Sequence, residues 1–290
     1  MITDAATDLF EAQRPRLRRL AYRMLGEVGE AEDAVQDAWL RWRGVDPATL
    51  DDPSAWLVSV TSRLCIDRLR AARTRREAYV GPWLPEPLIE DLTDDSLERA
   101  EDVSVAFLLA LERLSPLERA VFLLHDVFDA DYAAVAAALG RSEIACRQLA
   151  ARARAHVRDA RPRFDVPQES VARLATAFMD AARRGDVAAL SDLLAEDAVL
   201  ITDGGGKRKA ALRPMVGRED VMALIKGLAW RGSWLEADAI RLARVNGYLG
   251  AVLQLADGVM TVAFEPAADG RLGAIYILRN PEKLRHLPAG

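Results

Sequence analysis

The segment 115–158 constrains the fold most, because its helix start and stop signals lie close together and fit a helix-turn-helix. In Ser115-Pro-Leu-Glu118 the serine caps a helix, the proline suits the first helical position, and the glutamate completes a capping box. A short helix is predicted over Asp131 to Leu139, where Gly140 ends it, and Ser142 begins a longer helix. This succession predicts a DNA-binding helix-turn-helix.

The helix after Ser142 is predicted to have one apolar side and one basic side. The apolar side combines Cys146, Leu149, Ala150, Ala153 and Val157. Such a side packs on the preceding helix, while the long cations opposite reach base edges and phosphates in the major groove. The residues predicted to reach DNA are Arg141, Ser142, Glu143, Arg147, Arg152, Arg154 and Arg158. The alternative is a solvated helix whose arginines confer solubility.

The net charge of −5 hides a distribution that favours nucleic acid as a partner. Residues 61–80 hold six arginines and two acids, and residues 141–163 hold seven arginines and two acids. Residues 86–102, between them, hold eight acids and one arginine. Two basic segments separated by an acidic one predict two DNA contacts joined by a linker, although two solvated helices would give the same charges.

The first 76 residues are predicted to be helical, and the helix over 30–42 has an unusual outer surface. Acidic and amide side chains stand there beside an aromatic and a leucine, which fits a protein partner better than DNA. The residues of this surface are Asp33, Gln36, Asp37, Trp39 and Leu40. A solvated face is the alternative.

A third helix is predicted from an N-cap at Ser54 to about Arg75, and its second half is rich in arginine. Arginines beside an aromatic residue suit partly single-stranded DNA, through phosphate neutralisation and base stacking. Trp56 at the start of the helix is either that aromatic or part of the core. Asp67 and Arg70 are spaced to form an ion pair.

Residues 79–102 are predicted to form a linker, because three prolines interrupt any helix and the acids that follow stay solvated. Trp83, Leu84 and Leu88 are nevertheless too apolar for a free tether. We therefore expect the segment from Tyr79 to Leu88 to dock onto another part of the chain.

The remainder, 167–290, is predicted to be an α+β domain: helices come first, and four strands near 236–244, 248–255, 259–265 and 272–279 form an antiparallel meander. A curved sheet with helices across its mouth encloses an apolar cone. Three roles stay open for it: catalysis, ligand sensing and protein contact. The candidate acids are Asp180, Asp186, Asp197 and Asp203. Asp186 has a helix cap as its alternative, and Asp197 and Asp203 have turns. Because the acids are scattered, no catalytic residue is assigned.

Neither a metal site nor a membrane-spanning segment is expected. Cys65 and Cys146 are far apart and the three histidines are scattered, so neither a disulfide framework nor a zinc site is predicted, and no cofactor is. Residues 1–20 have acids and no apolar core of a signal peptide, and nothing approaches a membrane span. We expect a cytoplasmic protein. Gly204-Gly-Gly-Lys207 lacks the spacing of a phosphate-binding loop and predicts a hairpin.

Four segments resemble the extracytoplasmic-function sigma factors of bacterial RNA polymerase. Glu30-Ala-Glu-Asp-Ala-Val-Gln-Asp-Ala-Trp-Leu40 resembles their polymerase-binding helix in region 2, and Trp56-Leu57 with Asp67-Arg-Leu-Arg70 resembles their −10 helix. Leu114 to Leu123, and Ala145-Cys-Arg-Gln-Leu149 with Arg152-Ala-Arg154, resemble region 4. The resemblance assigns the −10 element to Trp56, Arg63, Arg68, Arg70 and Arg73. Arg63 stands where many of these proteins have asparagine.

Three further segments resemble the SigJ-type subgroup, which has a C-terminal SnoaL-like (NTF2-like) domain. They are Trp83-Leu-Pro-Glu-Pro-Leu88, Asp203-Gly-Gly-Gly-Lys207 and Asn280-Pro-Glu-Lys-Leu284, the last with Glu282 where the subgroup usually has aspartate. The regulatory contacts it implies involve Trp83, Leu84, Pro85, Leu88, Asp203, Gly204, Gly205, Gly206, Lys207, Asn280 and Pro281.

The resemblance implies a multidomain protein: region 2 over 1–78, a linker over 79–102, region 4 over 103–165 and the α+β cone over 167–290. Regions 2 and 4 would contact the β′ clamp and β flap of core polymerase and read the −10 and −35 elements of promoter DNA. The C-terminal domain would regulate the same chain, with an unknown small ligand in the cone left open. The alternatives are a ligand-sensing one-component helix-turn-helix regulator and a cyclase- or isomerase-like enzyme.

Overall fold

A computed structural model describes residues 4–90, 103–160, 167–230 and 237–287. The chain divides into two compact units. The helical unit comprises residues 1–77 and 107–161, and the sheet unit comprises residues 78–106 and 162–290. Among the described residues, no helix is both long and apolar enough to cross a membrane.

The helical unit begins with three long helices, α1 (Asp4–Leu25), α2 (Val28–Trp42) and α3 (Pro53–Glu77). Gly26 separates the first two with a left-handed backbone, φ 71°. The predicted cap at Ser54 is wrong: the Asp52 carboxylate accepts the Ala55 N–H at 2.9 Å, so α3 starts two residues earlier than that cap predicts, at Pro53. Proline is favoured in this first turn, where its missing N–H leaves no bond unmade.

The second group of helices contains the predicted helix-turn-helix. It consists of α4 (Val105–Glu112), α5 (Pro116–Phe122), a π-helical turn (Leu123–Val127), α6 (Tyr132–Leu139) and α7 (Glu143–Ala160). The capping box at Ser115 is present, and Gly140 ends α6 with φ 63°. The local signals of the sequence are therefore sufficient to set these helix boundaries.

The two groups of helices pack on each other through buried polar contacts. Arg119 is almost fully buried and donates to the Met24 carbonyl at 2.7 Å and to the Glu112 carboxylate at 2.8 Å. Burial lowers the pKa of the Arg119 guanidinium to about 9, so the group remains charged at neutral pH. Arg76 of α3 pairs with the same Glu112 and donates to the Leu25 carbonyl at 2.8 Å. One carboxylate thus joins α3, α4 and α5.

The sheet unit is built on one seven-stranded sheet in the order β1-β4-β5-β6-β7-β2-β3. Its helices are α8 (Gln168–Arg184), α9 (Val187–Leu193) and α10 (Arg218–Trp230). Its strands are β1 (Ile89–Glu90), β2 (Leu194–Asp203), β3 (Met215–Val216), β4 (Ala237–Val245), β5 (Tyr248–Leu255), β6 (Gly258–Pro266) and β7 (Leu272–Leu278). Asn246-Gly247 joins β4 to β5, both with positive φ, as a two-residue hairpin turn requires.

The sheet differs from the predicted meander in two respects. The four predicted strands pair antiparallel, as expected, but β2 joins them parallel to β7. The linker also contributes a strand, because Ile89 pairs with Val245 at the edge of the sheet. The α+β cone itself is present: Phe178 of α8 and Phe264 of β6 approach to 5.3 Å between ring centroids inside an apolar core.

We expect Ser115→Ala to lower the free energy of unfolding of the helical unit by about 1 kcal/mol, because it removes the capping box of α5. Urea denaturation followed by far-UV circular dichroism measures the change. Ser54→Ala is the matched control, since Ser54 lies inside α3 and Asp52 makes the cap. Equal losses in both variants would contradict this account of the helix starts.

Candidate functional site

The helix α7 has the packed and exposed sides that DNA recognition requires. Cys146, Ala150 and Ala153 are fully buried against the rest of the helical unit. Leu149 and Val157, predicted for the same side, are half-buried at its margin. Ser142 caps α7, accepting the Ala145 N–H at 3.2 Å. The buried stripe therefore fixes which side of α7 faces outward.

Three of the predicted DNA-contacting arginines are paired within the helical unit. Arg147 meets Glu143 at 2.8 Å and stacks over the Tyr132 ring at 4.7 Å. Arg154 meets Asp126 at 2.6 Å, and Arg152 meets Glu118 at 2.9 Å. Glu143 and Asp126 are exposed residues, so their pairs with Arg147 and Arg154 are weak and phosphates can replace the carboxylates. Glu118 is buried, so Arg152 is held more firmly. Arg141 and Arg158 are exposed.

Two exposed residues of α7 were missed in the sequence analysis. Ile144 and Gln148 lie one turn apart on the side opposite the buried stripe. The helical periodicity could have identified both, but the search for arginines passed over uncharged side chains. They occupy the part of the helix that a groove would enclose most deeply.

The outer surface of α2 is exposed as predicted. Asp33 and Gln36 face solvent, and Leu40 is 53% exposed. Trp39 is half-buried and packs on Phe10 at 4.8 Å between ring centroids. The buried side of α2 consists of Ala31, Ala34, Val35, Ala38 and Trp42. The surface therefore combines an acidic strip with apolar anchors that the core of the helical unit positions.

Arg68, predicted to contact the −10 element, pairs with acids of α2. Its guanidinium meets Glu30 at 2.6 Å and Asp37 at 2.8 Å. Asp37 belongs to the predicted polymerase surface, so one ion-pair network joins the two predicted binding helices. The predicted pair between Asp67 and Arg70 is also present, at 3.2 Å.

The remaining −10 residues fall into different surroundings. Trp56 is half-buried with its ring 5.6 Å from that of Trp42, so it contributes to the core while part of it stays accessible. Arg73 is exposed and pairs with Glu77 at 3.1 Å. Arg63 donates to the Ala138 carbonyl at 2.9 Å, and Ser59 donates to the same carbonyl at 2.8 Å. Two side chains of α3 therefore bind the C-terminal end of α6.

The docking of the linker is centred on Asp203, which is fully buried in the sheet unit. Its carboxylate accepts hydrogen bonds from the Tyr79 hydroxyl at 2.6 Å and the Leu84 N–H at 2.9 Å. It also accepts the Gly205 N–H at 3.0 Å and pairs with the Lys283 ammonium at 2.8 Å. The linker segment thus supplies two of the four groups that stabilise this buried charge.

Lys283 is the second centre of the same network. Its ammonium donates to the Leu84 carbonyl at 2.6 Å and lies 4.2 Å from the Trp83 ring centroid and 4.7 Å from that of Tyr79. These aromatic faces add cation–π attraction to a buried ammonium. Asn280 completes the network by donating its side-chain N–H to the Tyr79 hydroxyl at 2.7 Å.

The remaining predicted regulatory residues surround this network. Leu84 and Pro85 are buried, and the Leu88 carbonyl accepts the Asn246 N–H at 2.9 Å. Gly204, Gly205 and Gly206 form the turn after β2, where a Cβ on Gly205 would overlap the Asn280 side chain. Pro281 is exposed. The glycines are therefore required for the close approach of two signature segments.

Lys207 makes its ion pair within the sheet unit. It pairs with Glu282 and lowers the pKa of that carboxyl. An approach of this basic turn to the acids of 90–102 is also an expectation from the sequence, but residues 91–102 lie outside the described residues.

The sheet unit offers little support for catalysis or metal binding. Asp186 caps α9 by accepting the Ala189 N–H at 3.0 Å, and Asp203 is committed to the linker network. Asp180 and Asp197 are exposed.

No cluster of three metal-binding side chains occurs in the described ranges. Both cysteines are buried and free, and burial raises the pKa of the Cys65 thiol to about 12.

Comparisons with known proteins identify both helical modules. Residues 9–75 match the family model Sigma-70 region 2, and residues 104–157 match Sigma-70, region 4. The chain is 41% identical to the ECF RNA polymerase sigma factor SigJ of Mycobacterium tuberculosis, over 96% of this chain and 93% of that protein. It is 36% identical to the probable ECF RNA polymerase sigma factor SigI of the same species, over 66% of this chain and 67% of that one.

A solved structure shows the same fold over nearly the whole chain. It is the crystal structure of the M. tuberculosis sigma factor SigJ, with a TM-score of 0.80 and 38% identity, and the match covers 98% of this chain and 100% of that one. The combination of two helical modules and a C-terminal sheet domain is therefore shared with that protein.

We expect Lys283→Met to destabilise the sheet unit by about 3–5 kcal/mol, because it leaves the buried Asp203 carboxylate without its cation. Thermal or urea unfolding measures the loss, and protease cleavage near Trp83 reports release of the linker. Lys207→Met is the matched control, since it removes the same charge from an exposed pair. Similar behaviour of the two variants would show that the buried pair does not hold the linker.

Proposed function

The chain belongs to the extracytoplasmic-function RNA polymerase sigma factors, and we propose that its own C-terminal domain controls how it directs polymerase to promoters. Membership of this family makes it a transcription initiation factor rather than an enzyme. The observation that carries the proposed control is the docking of the linker, through Asp203 and Lys283, on the C-terminal domain of the same chain.

We assign the exposed surface of α2 to core polymerase, at the β′ clamp. Asp33 and Gln36 supply the polar contacts, and Leu40 supplies exposed apolar area beside Trp39. Asp37 forms an ion pair with Arg68 of α3, so it positions the −10 helix and also faces core polymerase. Apolar anchors surrounded by charge are typical of a protein interface. Region 4 is assigned to the β flap by family membership.

We assign α7 to the −35 element. Residues near the N-terminus of a recognition helix reach base edges, which applies to Arg141, Ser142, Glu143 and Arg147. Arg152, Arg154 and Arg158 follow along the helix and are assigned to phosphates. Arg154 and Arg158 are exposed, whereas Arg152 must leave the buried Glu118 carboxylate to contact a phosphate.

We assign α3 to the −10 element, which region 4 obstructs in the present arrangement. Arg63 is bound to the end of α6, so α3 and the helix-turn-helix are in contact. Elements centred near −10 and −35 lie about 25 base pairs apart, or roughly 85 Å along B-DNA. Two modules in contact cannot reach both elements, so promoter binding requires that they separate.

The docked linker limits this separation. The roughly 28 residues from Tyr79 to Ala106 would span on the order of 90 Å if extended, enough for the promoter. In the sheet unit they are held at both ends: Tyr79 and Leu84 bind Asp203, while Val103 accepts from Asn246 at 2.9 Å and Ala106 donates to Glu265 at 2.7 Å. The C-terminal domain therefore acts as a restraint. The sheet unit has an apolar interior, and its buried charges Asp203 and Lys283 bind the linker, which favours this protein-contacting role over ligand sensing.

Charge reversal at Asp33 is expected to weaken binding to core polymerase at least tenfold, because it places a cation in an acidic contact surface. The dissociation constant of Asp33→Lys for purified core polymerase measures the effect. Asp8→Lys makes the same charge change on the exposed side of α1 and is expected to bind like the parent. Parental affinity in Asp33→Lys would remove α2 from the polymerase interface.

Trp83→Ser in the full chain is expected to raise promoter-dependent transcription several-fold, because it removes the aromatic face over Lys283 and loosens the docked linker. Multiple-round run-off transcription with core polymerase measures the change, and Lys207→Met is the control. A fall would identify the domain as a scaffold instead. Unchanged transcription would contradict regulation by this contact.

A further inference from the structure

Ile144 is an exposed aliphatic residue on the helix that we assign to the −35 element. It is the second residue of α7, and 72% of it is exposed. Its neighbours in the chain, Glu143 and Ala145, are an acid and a half-buried alanine. A large apolar side chain this exposed gains nothing from the fold of the free protein, so its chemistry must be sought in a partner.

The position of Ile144 on the helix identifies the partner. It lies opposite the buried stripe of Cys146, Ala150 and Ala153, near the N-terminus of α7. A recognition helix places its exposed side and its N-terminal end against the base edges of the major groove. Arg147 and Arg154 lie to one side of Ile144, where they pair with Glu143 and Asp126. Ile144 is therefore centred over the bases.

Only one group on the base edges of the major groove matches an aliphatic side chain. The other groups exposed there are hydrogen-bond donors and acceptors, which isoleucine cannot satisfy and would deprive of water. The thymine C5-methyl group is apolar and projects into the groove. On the basis of the proposed −35 function of α7, we infer that Ile144 is a specificity-determining residue that reads a thymine methyl group in the upstream promoter element.

The test uses holoenzyme assembled from core polymerase and the full chain. Duplexes with a randomised −35 hexamer are first selected by holoenzyme binding, and each thymine of the enriched sequence is then replaced singly by deoxyuridine, which lacks only the methyl group. At one position the parent is expected to lose about three- to five-fold in affinity, the factor for burying one methyl group. Ile144→Ser should bind the thymine and deoxyuridine duplexes equally at that position, whereas Ile144→Val should keep the discrimination.

The outcomes separate this inference from the function on which it rests. If a hexamer is enriched and Arg147→Ala weakens its binding, but the parent and Ile144→Ser show the same thymine-to-deoxyuridine ratio everywhere, the role of Ile144 is wrong and α7 still reads DNA. If no hexamer is enriched, the assignment of α7 fails and the inference fails with it. Val216→Ser, which removes an exposed aliphatic side chain outside α7, is the control and should retain parental discrimination.

Discussion

The buried carboxylate of Asp203 is the group on which the organisation of the sheet unit depends. A carboxylate without access to water is strongly destabilising unless donors surround it, and here Tyr79, Leu84, Gly205 and Lys283 supply four. Two of these donors come from the linker and two from the C-terminal domain. Neither segment can satisfy the charge alone, so burial of Asp203 requires that the linker be docked. The three signature segments of the sequence meet at this one charge.

The helical unit also contains a carboxylate that joins separate segments of the chain. The Glu112 carboxylate forms ion pairs with Arg119 and Arg76, whose guanidinium groups are largely buried. These pairs connect helices from both sigma regions. Buried ion pairs add little net stability compared with apolar packing, but loss of one partner is costly. They therefore favour one arrangement of helices over near alternatives.

The functional surfaces show the opposite arrangement, with charges paired at the surface. Arg147 and Arg154 pair with carboxylates of exposed residues, which solvent screens. Such pairs keep long side chains ordered without binding them tightly, so a phosphate can take the place of the acid. Strong buried pairs thus maintain the architecture, while weak exposed pairs leave α7 ready for DNA.

The sequence by itself determined the features that depend on neighbouring residues. The capping box at Ser115, the turn at Gly140 and the buried stripe of α7 follow from caps, glycine and helical period, and the structure has all three. The apolar residues of the linker also predicted correctly that it docks. The predicted cap of α3 was wrong by two residues, because Asp52 and Ser54 are both competent caps and only the backbone path selects between them.

Only the tertiary structure decided which distant groups meet. Nothing local indicates that β2 runs parallel to β7, that Ile89 extends the sheet, or that Lys207 pairs with Glu282. The sequence predicts that Arg63 and Arg68 contact DNA. In the structure Arg63 binds the end of α6, and Arg68 binds the acids of α2. Spacing along the chain specifies which residues share a face of one element. The partner of a buried charge is decided by which elements the apolar core brings together, and that depends on packing across the whole unit.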